Sequence, residues 1–307
     1  MSATLLAVQT LNGLQLGVLL FLIAAGLTLV FGVMDFINLA HGVQYMLGAY
    51  LAVAGYQLTG SFWLALLFAL IVSLLAGLAL EFLIFRHLYD RDHLDQVLAT
   101  FGVIIFLNEA VKVIWGAAPL SLPIPAAFDG SFQLMDNLRY PIYRIALIGS
   151  GLGVALLLYV LVTRTRIGML VRAGATNPDM VAALGVNIRR LFMIVFGFGT
   201  MLAGFAGIMA APILSVEPGM GDNLLILAFV VIVIGGIGSI RGAFIAALII
   251  GLVDTLGRSM TTDIARLLLP PAAANDVGPA IASMLIYILM AAVLFFRPSG
   301  LFPVTRS

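Results

Sequence analysis

The sequence predicts an all-α polytopic membrane protein, and three observations lead to this fold class. Of its 307 residues, 63% are hydrophobic and only 9% are charged, and the mean hydropathy is +1.17. A soluble domain carries roughly 25% charged residues, so this chain has too little charge to cover a surface that faces water. Its apolar residues also gather into runs that can cross a bilayer, which takes about 20 residues per helix. The 32 glycines suit a closely packed bundle of interrupted helices.

Eight apolar runs are candidate membrane segments. In chain order they are Asn12–Val33, Leu39–Leu58, Phe62–Phe85, Leu94–Trp115, Ile142–Thr163, Leu191–Ser215, Asn223–Leu256 and Gly278–Phe296. The seventh run is too long for one pass and contains the break GGIGSIRG, so it is either two half-helices or a re-entrant hairpin. We therefore expect eight to nine membrane segments in a single transmembrane domain that covers residues 1–307.

The arginines in the connections predict the orientation. Nine fall in two connections and a tail that we place inside: Arg86, Arg91, Arg164, Arg166, Arg172, Arg189, Arg190, Arg297 and Arg306. Four fall outside: Arg139, Arg144, Arg258 and Arg266. Lys112 and Arg241 lie within or beside apolar runs and are not counted. Nine against four predicts an external N-terminus and a cytoplasmic C-terminus, provided that the seventh run enters the membrane and returns to the same side.

Glycine spacing predicts further features of the bundle. The segments LTLVFGVMDFINLAHGVQYMLGAYLA and AFVVIVIGGIGSIRGAFIAALIIGLV both place a Gly-containing polar break between apolar halves, which indicates a possible inverted repeat or a chance likeness of Gly-rich helices. Small residues at every fourth position also predict close helix contacts. These sets are Gly13 and Gly17; Gly149 and Gly153; and Gly199, Ala203, Gly207 and Ala211.

The connection of residues 164–190 contains a short helix with both ends marked. Asn177 is the expected N-cap, Pro178 takes the first helical position, and Asp179 suits the positive N-terminus. Gly185 is the expected C′ residue. A helix of two turns is marginal alone in water, so this one must pack on something. It is either a surface helix on the membrane, with its flanking arginines on lipid phosphates, or a docking helix for a cytoplasmic partner.

The stretch GVMDFINLAHG places Asp35, Asn38 and His41 three residues apart, near one face of a helical or 3₁₀ turn. In one interpretation they are caps: Asp35 or Asn38 accepts from the first N–H groups of the following run, and His41 bonds a carbonyl at the end of the preceding run. In the other, the break lines a translocation path. The two interpretations are compatible.

Other ionisable residues inside the apolar runs come in pairs with helical spacing. Glu109 and Lys112 are three apart, and Asp254 and Arg258 are four apart. We interpret each as a structural ion pair. The alternative for the first pair is a proton path in a secondary transporter.

Several kinds of chemistry are not expected from this sequence. It has no Cys, and its single lysine, Lys112, is not part of a phosphate-binding Gly-x-x-x-x-Gly-Lys-Ser/Thr motif. It also lacks H-E-x-x-H and Gly-x-Ser-x-Gly motifs. His87 and His93 flank an Asp-rich loop that is more typical of a solvated connection than of a zinc site. The net charge of +1 gives no field for nucleic acid. We expect no enzyme activity.

Four motifs together resemble the permease subunits of branched-chain amino acid ABC importers, in particular the shorter of the two permeases. They are GLTLVFGVMDFINLAHGVQYMLGAYLA, TFG at residues 100–102, RAGATNPDMVAALGVNIRR and GGIGSIRGAFIAALIIGLVD. The resemblance covers nearly the whole chain, and the combination of INLAHG with the third motif is specific to this family.

The resemblance implies partners and site residues. The partners are a second related permease, two cytoplasmic ATPase subunits that bind ATP and magnesium, and a periplasmic binding protein that meets the outer loop 116–141. This chain then needs no cofactor and lies in the bacterial inner membrane. Docking on the ATPase becomes the expected role of the short helix. The implied coupling residues are Arg172, Ala173, Asn177, Pro178, Asp179, Ala182, Leu184 and Gly185. The expected helix-break and path residues are Asp35, Asn38, His41, Gly42, Gly235, Gly236, Gly238 and Arg241.

The expected function is the translocation of leucine, isoleucine or valine. An apolar path with polar breaks suits a zwitterion with an aliphatic side chain, and half-helix N-termini can meet its carboxylate. The alternatives are a urea or short-amide ABC permease, a proton-coupled secondary transporter and a passive channel.

Overall fold

The computed structural model describes residues 3–135 and 138–303, and within them the chain forms a bundle of helices. The α-helices are α1 (Ala3–Met34), α2 (His41–Thr59), α3 (Phe62–Leu83), α4 (His93–Trp115), α5 (Ile142–Arg164), α6 (Arg166–Thr176), α7 (Pro178–Ala183), α8 (Ile188–Ala210), α9 (Asp222–Gly235), α10 (Ile240–Leu268) and α11 (Pro271–Phe296). Two short 3₁₀ turns, η1 (Phe85–His87) and η2 (Ala126–Phe128), and an antiparallel hairpin of β1 (Ser131–Met135) and β2 (Leu138–Pro141) complete it.

Seven of the described helices are long and apolar enough to cross a membrane: α1, α3, α4, α5, α8, α10 and α11. The apolar helix α9 is shorter, and α2 is mostly buried within the bundle. These helices confirm the all-α membrane fold. Each predicted run contains a helix, and the seventh run is two helices, α9 and α10, with a break at Gly236–Ser239.

Helix α1 is the centre of the bundle. It runs antiparallel to α10, since Gly13 and Gly17 face Leu252 and Leu248 at one end, while Gly32 meets Gly238 at the other. Its other sides contact α8, α9 and α5, and 89% of the residues in its most apolar stretch are buried. A helix that is apolar all round is expected inside protein, and α1 fits this pattern.

Close helix contacts occur where two of the three small-residue sets predict them. On α8, Gly199 packs against Gly26 of α1, and Gly207 packs against the backbone of Tyr45 on α2. Gly48 of α2 likewise lies against the backbone of Gly204 on α8. The contacts of Gly13 and Gly17 with α10 confirm a second set.

The prediction of a close helix contact at the third small-residue set is wrong. Gly149 and Gly153 are exposed, and a side chain at either position would meet no atom within 4 Å. The buried face of α5 instead carries Tyr143, Leu147 and Gly151, and Gly151 packs on Val18 of α1. Because both faces of a membrane helix are apolar, spacing alone does not identify the packed face.

The bundle has a basic end and a hairpin end. At the basic end lie η1, α6, α7, the start of α8 and the tail after α11, which is tied to the end of α9 by a hydrogen bond of 2.8 Å from Leu301 N to Ile234 O. Eight arginines of the predicted inside set lie in these segments or beside them: Arg86, Arg91, Arg164, Arg166, Arg172, Arg189, Arg190 and Arg297. The ninth arginine of the inside set, Arg306, lies outside the described residues.

At the hairpin end, the β1–β2 hairpin is joined to the start of α1. Tyr140 Oη and Arg144 Nη1 both donate to Asn12 Oδ1, at 3.2 and 2.8 Å. Leu120 forms an antiparallel bridge with Val216 that ties the outer loop to the segment after α8. Residues 136 and 137 of the outer loop lie outside the described part of the chain.

The two broken segments run in the same direction. Both α1 and α9 run toward the basic end, and α2 and α10 return from it, with Gly32 and Gly238 in contact near the breaks. An inverted repeat built on these segments would require opposite directions. The segments α1–α2 and α9–α10 are therefore not related by an inverted repeat.

Candidate functional site

The predicted short helix is present as α7, with the predicted ends. Asn177 Oδ1 accepts from Met180 N at 2.9 Å, and Pro178 occupies the first position. Gly185 has φ +87° and donates to Ala182 O, while the next residue donates to Val181 O at 3.3 Å. These two bonds form a Schellman motif. Both ends of the helix are therefore fixed by local hydrogen bonds.

Sequence reasoning missed α6, which precedes α7 in the same connection. Thr165 caps it, since its Oγ1 accepts from Gly168 N at 3.1 Å. The signal was present in the sequence as a Thr followed by apolar residues at helical spacing, including Ile167 and Val171. Two helices, rather than one, therefore form the 164–190 connection.

Helix α7 presents apolar side chains to solvent. Val181 is buried and holds the helix on the bundle, whereas Met180 and Leu184 are 59% and 77% exposed. Exposed apolar residues next to one another at the basic end mark a surface that a partner can cover.

A cleft of about 440 Å³ separates α7 from the turn η1. Its floor is the buried carboxylate of Glu81, which accepts a hydrogen bond from Tyr89 Oη at 3.1 Å. Burial, and then the charge of Glu81, raise the pKa of Tyr89, so its hydroxyl stays protonated and donates. The remaining lining residues are Arg86, His87, Asp90, Pro178, Asp179, Ala182, Ile188, Arg189 and Phe192.

The triplet at the first break is separated by the structure. His41 is fully buried, and its Nε2 lies 3.1 Å from Ile23 O in the middle of α1. Asn38 is also fully buried, and its side-chain atoms have no hydrogen-bond partner within the described residues. Asp35 is exposed and ends α1, with φ +49° and its N–H donating to Phe31 O.

The cap interpretation is wrong for Asn38 and His41. The N-cap of α2 is Ala40, Asn38 Oδ1 has no partner within the described residues, and His41 contacts Ile23 O rather than a carbonyl at the end of α1. The physical reason is that residues 35–40 turn back into the bundle. His41 then reaches the middle of α1 rather than its end, and Gly42 packs against Gly221 before α9.

We expect His41→Ala to destabilise the protein by about 2–4 kcal/mol, because it removes a buried ring and the hydrogen bond to Ile23. Thermal unfolding in detergent measures this loss, with His87→Ala, at an exposed histidine, as the control.

Uptake should fall for both His41→Ala and Asn38→Ala. Normal uptake with normal expression in both would rule out a path role for the first break.

The second break opens on a cavity of about 560 Å³, here called the break cavity. Its walls come from α1, α5, α6 and the start of α10. The lining residues are Phe21, Thr28, Leu29, Gly32, Val33, Ala155, Tyr159, Val162, Thr163, Val171, Arg172, Ala175, Thr176, Ile237, Gly238, Ser239, Ile240, Arg241 and Phe244. The cavity brings together Gly238, Arg241 and Arg172, which the sequence analysis assigned to two different groups.

Both arginines of the break cavity contact α5. Arg241 Nη2 donates to Tyr159 Oη at 3.3 Å, with its guanidinium carbon 5.2 Å from the ring centre, and Arg172 Nη1 donates to the carbonyl of Val162. Sequence reasoning missed Thr28 and Tyr159, since each stands alone in an apolar run with no neighbouring motif.

The other predicted path residues lie away from the break cavity. Gly235 packs against Gly242, and Gly236, with φ +101°, lies against the tail at Phe302. Asn38, His41 and Gly42 do not line the cavity. The predicted path group is thus divided. Asn38, His41 and Gly42 are buried at the first break, where Asp35 is exposed, and from the second break Gly238 and Arg241 line the cavity.

Both predicted ion pairs are confirmed. Lys112 Nζ lies 2.6 Å from Glu109 Oε1, and the two side chains are 42% and 62% exposed. Arg258 Nη2 lies 2.8 Å from Asp254 Oδ1. Among the described residues, His, Asp and Glu form no group of three or more that can hold a metal ion.

Comparison with known proteins gives a consistent result. Residues 9–294 match the family described as "Branched-chain amino acid transport system / permease component". The chain is 29% identical to the high-affinity branched-chain amino acid transport system permease protein BraD of Pseudomonas aeruginosa over 305 residues, which cover 95% of this chain and 94% of that protein. It is 31% identical to LivH of Escherichia coli over 262 residues, 81% of this chain and 84% of that protein.

A second type of permease also matches. LivM of Escherichia coli is 26% identical over 326 residues, which cover 97% of this chain and 71% of that protein. No solved structure matches the chain.

Proposed function

The chain belongs to the family of branched-chain amino acid transport permease components, and from this premise we propose that it is the shorter permease of an ATP-driven importer for leucine, isoleucine or valine. The observation that carries the importer mechanism is α7. It is capped at both ends and exposes Met180 and Leu184 at the basic end of the bundle. A helix fixed in this way is suited to transmit force to an attached subunit.

The ATPase subunits dock on the basic end, which is cytoplasmic, and they bind ATP and Mg²⁺. The C-terminus of this chain lies on the same side, in the bacterial inner membrane. A periplasmic binding protein meets the hairpin end, and a second permease related to LivM completes the membrane part. The proposed coupling residues are Arg172, Ala173, Asn177, Pro178, Asp179, Ala182, Leu184 and Gly185.

The two breaks form the proposed translocation path, and the chain performs no chemistry of its own. The path residues are Asp35, Asn38, His41, Gly42, Gly235, Gly236, Gly238 and Arg241. Contact of Gly32 with Gly238 supports the joint movement of both breaks, because one backbone cannot shift there without the other.

The test is ATP-driven uptake by the complex that co-purifies with this chain, reconstituted in liposomes. We expect labelled leucine, delivered by the binding protein, to stimulate ATP hydrolysis and to accumulate inside. Urea and short amides should neither stimulate nor compete. If no ATPase subunit co-purifies, and scrambling residues 177–185 leaves uptake intact, the importer proposal is wrong.

Proton coupling through Glu109 and Lys112 is tested by neutral variants. We expect Glu109→Gln and Lys112→Met to keep uptake within about twofold of the natural protein, because an exposed ion pair contributes only about 0–1 kcal/mol. Uptake that is lost in these variants while ATP hydrolysis continues would instead favour the proton-coupled transporter.

A further inference from the structure

The break cavity opens on the outer surface of the bundle. Its floor is the central helix α1, its two sides are α5 and the start of α10, and α6 closes it at the basic end. Tyr159 on one side and Ile237 on the other are 39% and 45% exposed. Because the floor belongs to the central helix, the mouth faces away from the bundle and can be reached from the bilayer.

The polarity of the cavity changes along its length. Arg172 and Arg241 lie toward the basic end, Arg241 in the first turn of α10, and Phe244 follows further in. On α1, Phe21 lies 12 residues before Val33 (33 − 21), which is about 18 Å deeper. A charged mouth and an apolar interior suit a ligand with a polar head and an apolar tail.

The mouth carries charge of one sign. The described residues that line the cavity include Arg172 and Arg241, both exposed, and no Asp or Glu. The two guanidinium groups donate to Val162 O and Tyr159 Oη, which are three residues apart on α5 and so are neighbours on one face of that helix. A guanidinium has five N–H donors, and neither arginine forms an ion pair within the described residues. Donors from both therefore remain for one anionic group.

Thr28 gives independent evidence for a ligand with a further polar group. It lines the cavity, is only 1% exposed, and its Oγ1 has no hydrogen-bond partner within the described residues. It lies five residues before Val33 (33 − 28), about 7.5 Å deeper along α1. A buried hydroxyl is rarely left unpaired, so an acceptor is expected at this depth, between the charged mouth and the apolar interior.

The surroundings of the mouth are typical of a lipid–water interface. α6 is an amphipathic helix that carries Arg166 and Arg172 and exposes the apolar side chains of Ile167 and Met169. Tyr159, at the mouth, is of a residue type that is enriched at the level of lipid head groups. Basic pockets between membrane helices on the cytoplasmic side bind anionic head groups.

We propose that the break cavity binds an anionic phospholipid of the cytoplasmic leaflet. Its phosphate lies between Arg172 and Arg241, an ester oxygen of its glycerol accepts from Thr28, and its acyl chains continue past Phe21 and Phe244 into the bilayer. The proposal goes beyond transport and takes from the proposed function only that the basic end is cytoplasmic. Because Arg172 belongs to α6 and Arg241 to α10, the bound lipid joins the connection that contains α7 to the second break.

The test uses phosphatidylglycerol with a diazirine in its acyl chain and the complex that co-purifies with this chain, in phosphatidylcholine nanodiscs. After illumination, mass spectrometry should map adducts to the parts of α1 and α10 that line the cavity. Excess unlabelled phosphatidylglycerol should suppress them, whereas phosphatidylcholine should not. Arg172→Gln and Arg241→Gln should each lower the adduct yield about fivefold, as expected for one arginine near an anionic lipid. Thr28→Val keeps the shape and should lower it about twofold or more.

Arg190→Gln is the matched control, since Arg190 is an exposed arginine of the basic end that does not line the cavity. Its yield should equal that of the natural protein, and melting midpoints in detergent show which variants are folded. An equal fall in all three arginine variants would indicate general attraction of anionic lipid and would overturn the proposal. Unchanged yield in folded Arg172→Gln and Arg241→Gln would also overturn it.

The competitors separate a lipid from other occupants. Suppression of the adducts by inorganic phosphate would make the cavity a site for a soluble anion, and suppression by leucine would make it an amino-acid site. The absence of cavity adducts would mean that another subunit covers the mouth. Each of these results would overturn the proposal. The test needs no transport, so failure of ATP-driven leucine uptake would reject the proposed function and leave the lipid result unaffected.

Discussion

Replacing Gly48 by valine is expected to prevent stable folding of the protein. Gly48 lies where α2 crosses α8, and a side chain there would fall on the backbone of Gly204. Side chains can change rotamer to relieve an overlap, but a helix backbone cannot move without disturbing its whole length. We expect a loss of about 3 kcal/mol or more, at the upper end of the cost of overpacking. Size-exclusion profiles and melting midpoints in detergent measure it.

Gly153→Val is the control for this substitution. Gly153 is also inside a long helix, but it is exposed and has no atom within 4 Å of an added side chain. Its melting midpoint should stay close to that of the natural protein. Equal melting of the Gly48 and Gly153 variants would contradict the close crossing of α2 and α8.

The double substitution Met180→Ser and Leu184→Ser is expected to release the ATPase subunits and abolish uptake. Both side chains are exposed in the isolated chain, so its own melting midpoint should not change. In the proposed complex they are buried. The loss of two buried apolar side chains, each worth about 1.5–3 kcal/mol, weakens association about a hundredfold or more. Pull-down of the ATPase subunits and leucine uptake are the measurements.

Leu268→Ser controls for the loss of an exposed leucine. Leu268 is 81% exposed and lies at the end of α10, away from α7. Association should be normal in this variant. If the ATPase subunits bind the Met180 and Leu184 variant as tightly as the control, α7 is not the docking helix.

Features set by neighbours in the chain could be predicted from the sequence. The ends of α7 depend on Asn177, Pro178 and Gly185, which act within a few residues, and both ends are confirmed. The break between α9 and α10 and the two ion pairs are local in the same sense. These interactions need no knowledge of which helices are neighbours.

Features that depend on distant contacts could not be predicted. The partner of His41 is Ile23, in the middle of another helix, and spacing within the break does not identify it. The break cavity joins Thr28, Arg172 and Arg241, which are far apart in sequence. The packed face of α5 was also missed, because hydrocarbon outside the bundle and apolar side chains inside it favour the same residues.

The enclosed position of α1 has a consequence for biosynthesis. α1 is made before α10, the helix that packs along its length, and Gly13 packs against Leu252, which lies 239 residues later (252 − 13). During translation, α1 must therefore remain in the bilayer with lipid in place of its final neighbours. The core closes only after α10 has been inserted. If a ribosome stalls earlier, the central helix lacks its final protein neighbours, and the incomplete chain is exposed to quality-control proteolysis.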